Sequence, residues 1–191
     1  MKRVILIRHG ATAGNLQGRY IGSTDQPLCE VGIAQAKAAA GLQADRIVVS
    51  PMLRARQTAQ ILFPDQTCLY LEDLRESHFG DFEGKTAEEL AENEAYRSWV
   101  DGGCTGPVPN GESRDVFKNR VCAAFLQAMD AAEEGSTTAF VLHGGCIMAI
   151  LERFSVPKSS FYDWQLPNCG RIEAQMDESG PALTVVSGEN L

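Results

Sequence analysis

No apolar stretch in the chain approaches the roughly 18 residues needed to cross a bilayer, which argues against a membrane-spanning helix. Positive charge is scarce as well: 17 Lys and Arg against 25 Asp and Glu leave a formal net charge of −8. That deficit argues against a nucleic-acid or anionic-membrane surface, since both need a basic face. The six cysteines (Cys29, Cys68, Cys104, Cys122, Cys146 and Cys169) include no C-x-x-C pair, which removes the usual zinc and dithiol signatures. His143-x-x-Cys146 has the spacing of a ligand pair, but no second Cys/His pair completes a set, so no metal site is expected. No charged-then-apolar leader with a small-residue cleavage site is recognisable; the thiols are therefore expected to be reduced and the protein cytoplasmic. Internal repeats and low-complexity tracts are absent too. Histidine is the scarcest reactive residue, with three in 191 residues. A chain of this length can bury a core without disulfides or metal and is expected to form one domain over residues 1–191.

What is there is alternation. Residues 4–7 (Val-Ile-Leu-Ile) and 47–49 read as buried strands, and residues 28–42 and 53–62 as helices, a βαβα pattern. Later, Phe140-Val141-Leu142 is followed by apolar residues at helical spacing, Ile147, Ile150, Leu151 and Phe154, which repeats the strand-turn-helix unit. Two further helices are expected between these units, over residues 86–100, opened by the capping box Thr86-x-x-Glu89, and from Ser113 to about residue 134. The Gly- and Pro-rich residues 101–111 join them, and residues 83–134 read as a helical excursion over the sheet edge. Residues 171–176 and 182–186, around Ser179-Gly180-Pro181, look like a closing hairpin. The expected fold is α/β: a three-layer sandwich with a mostly parallel central sheet flanked by helices and one antiparallel edge strand.

Parallel sheets hold ligands outside the carboxyl ends of their strands. Arg8-His9-Gly10 follows the first strand, His143-Gly144-Gly145 follows the strand ending at Leu142, and Arg54 lies just past Val48-Val49-Ser50-Pro51. Three strands can therefore deliver Arg8, His9, Arg54 and His143 to one crevice. An arginine there suits an anion, and a histidine beside it supplies a reactive imidazole. One His-Gly at a strand end would pass for a tight turn, but two such pairs, using two of the three histidines, point to a site. Glycine lets the backbone approach a ligand, and the N–H groups of a following helix can donate to an anion.

Four motifs in this order, Arg8-His9-Gly10-x-Thr12-x-x-Asn15, Ser50-Pro51-x-x-Arg54-x-x-x-Thr58-Ala59, Glu76-x-x-x-Gly80-x-x-Glu83-Gly84 and His143-Gly144-Gly145, resemble the histidine phosphatase superfamily, in the branch that includes cofactor-dependent phosphoglycerate mutase. The resemblance spans nearly the whole chain. It implies that His9 is the nucleophile of a phosphohistidine reaction, that Glu76 is the proton donor, and that Arg8, Arg54 and His143 complete the catalytic set. It places Arg8, Asn15, Thr12, Gly22, Arg54 and Gly144 on the substrate, although a turn-stabilising bond is an equal reading of the Thr12 hydroxyl. Glu83 reads as a loop contact and His78 as a rim residue. No cofactor or metal is implied, and the expected partner is a small phosphorylated metabolite.

Within the family, the short acidic excursion resembles phosphatases more than mutases. Pro109-Asn110-Gly111-Glu112-Ser113, with Phe117 and Arg120-Val121 after it, is similar to α-ribazole-phosphate phosphatases, which makes α-ribazole 5′-phosphate a candidate substrate. The resemblance leaves mutase-type phosphoryl transfer as the alternative; a non-catalytic phosphate-binding protein and a metal-dependent phosphoesterase are the competing classes. Ala11 stands where many members carry Glu, which puts nearby substrate contacts in doubt. Phe79, Phe82, Tyr96, Trp99, Phe161, Tyr162 and Trp164 offer rings for a base or sugar, or simply packing. A homodimer through the edge strand or helices is conceivable, with nothing in the residues selecting it.

Overall fold

The amino-terminal apolar run forms the middle strand of a seven-stranded sheet. In chain order the elements are β1 (Lys2–Arg8), α1 (Ala13–Leu16), α2 (Glu30–Ala38), β2 (Arg46–Val49), α3 (Leu53–Leu62), β3 (Cys68–Tyr70), α4 (Glu94–Asp101), α5 (Arg114–Asp130), β4 (Thr137–Leu142), α6 (Gly144–Phe154), β5 (Ser155–Val156), β6 (Arg171–Met176) and β7 (Leu183–Gly188). The computed structural model describes residues 1–177 and 180–188. The strands lie in the order β3-β2-β4-β1-β6-β7-β5. β1, β4, β2 and β3 run parallel, β6 runs opposite to both β1 and β7, and β5 pairs parallel with β7.

Strand alternation divides the core between two faces. Val4, Leu6, Val48, Phe140 and Leu142 pack with α5 and α6, while Ile5, Ile7, Ile47, Val49, Ala139 and Val141 pack with α3 and the segment after α2. Helices thus cover both faces of the central strands, as parallel strands require, and the expected α/β sandwich is the observed fold.

The antiparallel feature is placed differently from expectation. β6 is the reversed strand and is internal; its hairpin partner β7 is itself covered by β5. The edges are β3 and β5, of three and two residues, too short to show a period in the sequence. Of the expected hairpin turn, Ser179 lies outside the described residues. The helix expected at residue 86 also starts later. Both capping-box bonds form, Thr86 N to Glu89 Oε2 at 3.0 Å and Glu89 N to Thr86 Oγ1 at 3.1 Å. Yet Thr86 also bridges to Arg19, and residues 87–92 remain turns. α4 begins at Glu94, where Asn93 is the cap and its Oδ1 accepts from Tyr96 N at 2.9 Å. α5 belongs to the layer on the sheet. The excursion contracts accordingly to the segment before it, with a small core of its own in Phe82, Leu90, Tyr96 and Val108. Among the described residues no helix is long and apolar enough to cross a membrane.

Candidate active site

Sheet register assembles the site. Arg8 sits opposite Leu142 and Val49 opposite Val141, so the residues that follow, His9, His143 and Ser50, emerge side by side at the carboxyl ends of β1, β4 and β2. The two imidazole centroids are 5.1 Å apart. α3 brings Arg54 beneath them, and the loop after β3 brings Glu76 across from the start of α6. A cavity of about 620 Å³ opens above, with Arg8, His9, Asn15, Glu76, Gly144 and Asn168 among its lining.

His9 is 4% exposed. Its Nδ1 lies 2.7 Å from the carbonyl of Gly10. A carbonyl only accepts, so Nδ1 carries the proton and the Nε2 lone pair is left for chemistry. Burial, then the Arg54 charge, with a smaller contribution from Arg8, push the His9 pKa from 6.5 down to about 3, against the opposing Gly10 bond. The ring is therefore neutral around pH 7.

Arg54 is fully buried. Its Nε donates to His143 Nδ1 at 3.2 Å, Nη1 to the Thr24 carbonyl and Nη2 to the Gly22 carbonyl, both at 2.9 Å. One N–H on each terminal nitrogen remains for an anion. Arg8 Nη1 donates to the Leu166 carbonyl at 2.5 Å, while its Nε is buried without a hydrogen-bond partner among the described residues. Desolvation lowers both guanidinium pKa values and the Glu76 charge opposes it; both groups stay cationic near neutrality.

Glu76 is docked on the N-terminus of α6. Its Oε2 accepts from Gly145 N and its Oε1 from Ser77 N, each at 2.9 Å. A Cβ on residue 145 would stand 2.3 Å from Oε1, so glycine is what admits the carboxylate there. Burial raises the Glu76 pKa and outweighs the two backbone bonds and the arginines, which act to lower it. Glu76 does not pair with its neighbour Arg75, which holds Glu72 at 2.9 Å instead.

Several expected contacts fall elsewhere. Thr12 is fully buried and caps α1: its Oγ1 accepts from Asn15 N at 3.3 Å while Asn15 Oδ1 accepts from Thr12 N at 3.1 Å. Its hydroxyl serves the turn, whereas Asn15 lines the cavity. Gly22 donates its N–H to Glu83 Oε1 at 2.7 Å and gives its carbonyl to Arg54. A side chain there would meet the Ser77 carbonyl at 1.8 Å, so Gly22 supports Arg54 and does not face a substrate. Glu83 ties down the same loop through Gly22 N and Thr24 N, the structural role its position suggested. His143 is fully buried, with Nδ1 accepting from Arg54 and Nε2 2.7 Å from Ser50 Oγ. Both ring nitrogens are committed: the Arg54 guanidinium can only donate, so Nδ1 is the acceptor, Nε2 carries the proton and gives it to Ser50 Oγ, and Arg54 thereby fixes the tautomer while Ser50 holds the ring. Cys146 turns its thiol to the carbonyls of Leu74 and Arg75, 3.4 Å from each. His78 lies at an exposed rim, with Nδ1 accepting from Gly80 N at 3.1 Å. Ala11 is buried against α2 with its N–H on Gln35 Oε1 at 3.0 Å, so the departure there concerns packing outside the cavity.

Residues given no role by the sequence are Asn168, whose Nδ2 donates to the His9 carbonyl at 3.0 Å, and two that stood in the motifs without one: Thr58, whose Oγ1 accepts from Gly10 N at 3.0 Å, and Arg120. Arg120 stands between Phe117 and Val121 on the buried face of α5. A charged residue interrupting an apolar stripe was the signal.

Burial of two neutral imidazoles has a consequence for stability. His9 is held near 3 and His143 well below 6.5, chiefly by burial. At lower pH the unfolded chain binds protons that the folded chain refuses, so stability falls as pH drops below about 6.5, by up to ~1.4 kcal/mol per pH unit for each ring. Glu76, whose folded pKa is raised, has the opposite sign and offsets part of this loss. Urea midpoints measured from about pH 7.5 to 5.5 should decline, and decline less in His9→Asn. Equal slopes for both proteins would contradict the buried neutral ring.

Known proteins place this geometry. An Adenosylcobalamin/alpha-ribazole phosphatase of Salmonella typhimurium is 31% identical over 173 residues, covering 86% of this chain and 85% of that protein. An Escherichia coli protein named "Probable phosphoglycerate mutase GpmB" is 32% identical over 190 residues, 94% and 87% of the two chains. Among solved structures, a phosphoserine phosphatase from Entamoeba histolytica in complex with 3-phosphoglyceric acid superposes with a TM-score of 0.83 at 29% identity over 99% and 97% of the two chains. The alpha-ribazole phosphatase from Shigella flexneri gives 0.84 at 25% identity over 96% and 95%. The family model for the histidine phosphatase superfamily (branch 1) matches residues 4–188, and with that span and these relatives the chain belongs to this superfamily.

Proposed function

We propose that the protein is a phosphomonoester hydrolase that acts through a phosphohistidine on a small phosphorylated metabolite, without a metal. The observation that carries this reading is the neutral His9 ring, its Nε2 lone pair free in a cavity that Arg8 and Glu76 of raised pKa also line, with the buried Arg54 behind it against His143. His9 Nε2 attacks phosphorus in line; the N–P bond forms as the ester P–O bond breaks, and the leaving oxygen takes the Glu76 proton. The resulting carboxylate removes a proton from water, whose oxygen attacks phosphorus, and the N–P electron pair returns to His9. Arg8 and Arg54 hold the equatorial oxygens and offset the charge of the in-line transition state, with Asn15 and the start of α6 at Gly144 as further donors. Binding alone would need the arginines but not an acid with a raised pKa.

The relatives named as α-ribazole phosphatases make α-ribazole 5′-phosphate the first substrate to test. A panel of phosphomonoesters assayed for free phosphate in EDTA, with 3-phosphoglycerate isomerisation followed in parallel, tests the reading. Phosphate release with chelator present is expected. Isomerisation without net phosphate would make the protein a mutase, and loss of all turnover in EDTA would make it a metal-dependent phosphoesterase.

A further inference from the structure

Glu76 lies on a loop with space on both sides. It borders the cavity above His9 and also a second, polar cavity of about 520 Å³, lined by His78, Asn110, Glu112 and Arg120. Leu74 anchors the start of the loop in the core and the Cys146 thiol meets the Leu74 and Arg75 carbonyls, but Glu76 itself stands between the two cavities, where small errors in reacting geometry cost large factors in rate. Polar contacts complete its support.

We propose that Arg120, locked by Glu112, is a positioning residue that sets the Glu76 carboxyl against the leaving oxygen. From α5, the Arg120 guanidinium donates to three carbonyls of this one loop: Asp73 at 2.9 Å, Arg75 at 2.8 Å and Glu76 itself at 3.0 Å. Glu112 receives the same guanidinium at both oxygens, Nη2 to Oε1 at 2.5 Å and Nε to Oε2 at 3.1 Å. It then reaches past Glu76, with Oε1 accepting from His78 N and its own N–H donating to the His78 carbonyl, both at 3.0 Å. The loop is thereby gripped at residues 73, 75 and 76 by one partner and at 78 by the other. The ring of Phe117 lies under the guanidinium, its centroid 4.9 Å from Cζ, and keeps the fork in plane. A point-charge ammonium cannot span three carbonyls and a bidentate carboxylate at once. The remaining two bonds, from Ser77 N and Gly145 N, aim the carboxyl once the loop stands at the right height.

This inference rests on the reading of Glu76 as the acid, and its experiment separates the two. Arg120→Lys and Glu112→Gln are measured beside Glu76→Gln, each for first-turnover phosphorylation with p-nitrophenyl phosphate and with an alkyl phosphate. Nitrophenolate leaves with little protonation, whereas an alkoxide requires it. Arg120→Lys is expected to lose on the order of 10–100-fold on the alkyl ester and less than about threefold on the nitrophenyl ester, with Glu112→Gln between it and the wild type. Equal losses on both esters in Arg120→Lys, alongside selective loss in Glu76→Gln, would overturn the role of Arg120 and leave the acid in place. Absence of selectivity in Glu76→Gln would remove the acid itself. Thermal melts identify a variant that fails to fold; in that event Glu112→Gln, which keeps an amide oxygen for His78 N, decides by the same ratio.

Discussion

His9→Ala is expected to lower turnover of any phosphomonoester by about 10⁴-fold or more and to abolish the phosphoenzyme. The size follows from what the ring supplies. Its Nδ1 proton is anchored on the Gly10 carbonyl, and burial first, then Arg54 and Arg8, keep the ring neutral, so the lone pair is oriented and unprotonated before substrate arrives. Among the described residues the nearest candidates do not offer the same: His143 has both nitrogens committed, and the buried Cys146 thiol is pushed well above its ordinary pKa by desolvation. A water molecule entering the cavity of His9→Ala would meet the arginines but would lack this pre-set geometry. Brief exposure of the wild type to a ³²P-labelled substrate followed by denaturation should trap an adduct that is acid-labile and alkali-stable, as a phosphoramidate is, and absent from His9→Ala. An acid-stable adduct, or one that survives in the variant, would assign the nucleophile to another group.

How much of this was legible beforehand differs from residue to residue. His9 and His143 were visible because each ends a short apolar run that can only be a buried strand, and strand ends are where a parallel sheet displays its chemistry. Arg54 was visible through Ser50-Pro51 for the same reason. Glu76 has no such frame: it follows β3, three residues long and partly exposed, and the motif resemblance alone singled it out. Thr12 and Gly22 were placed on the substrate because both sit near the nucleophile in sequence or motif. The Thr12 hydroxyl is consumed by the backbone N–H of Asn15 in a cap, and the Gly22 backbone by the Glu83 and Arg54 side chains, a competition that sequence proximity does not disclose. Arg120 was hidden more deeply, since its partners are carbonyls 44 to 47 residues away and every residue type has a carbonyl.

Glu76→Gln should split the two halves of the reaction. With p-nitrophenyl phosphate the leaving group needs little help, so the first turnover is expected within a few-fold of wild type, releasing about one equivalent of nitrophenolate per site as a burst. Steady turnover afterwards should be slower by on the order of 10²–10⁴-fold, because the amide cannot take a proton from the water that attacks the phosphohistidine. With an alkyl phosphate the first step itself fails and the burst disappears. The carboxamide is close to isosteric and can retain an acceptor for one of the two backbone N–H groups at Gly145 and Ser77, so the arginines and His9 stay in place and the contrast reads chemistry. The pH dependence carries the same signature. Burial raises the Glu76 pKa, so the acid form persists towards neutrality and is lost as pH rises through the raised value. Alkyl-ester phosphorylation should therefore fall on the alkaline side while the nitrophenyl burst does not, and Glu76→Gln should erase that limb. A variant showing no burst with nitrophenyl phosphate, or an alkaline limb shared by both esters in the wild type, would move the proton donor away from Glu76. If the burst is present and its decay is as fast as in the wild type, Glu76 is the acid of the first step only, and another group must activate the water.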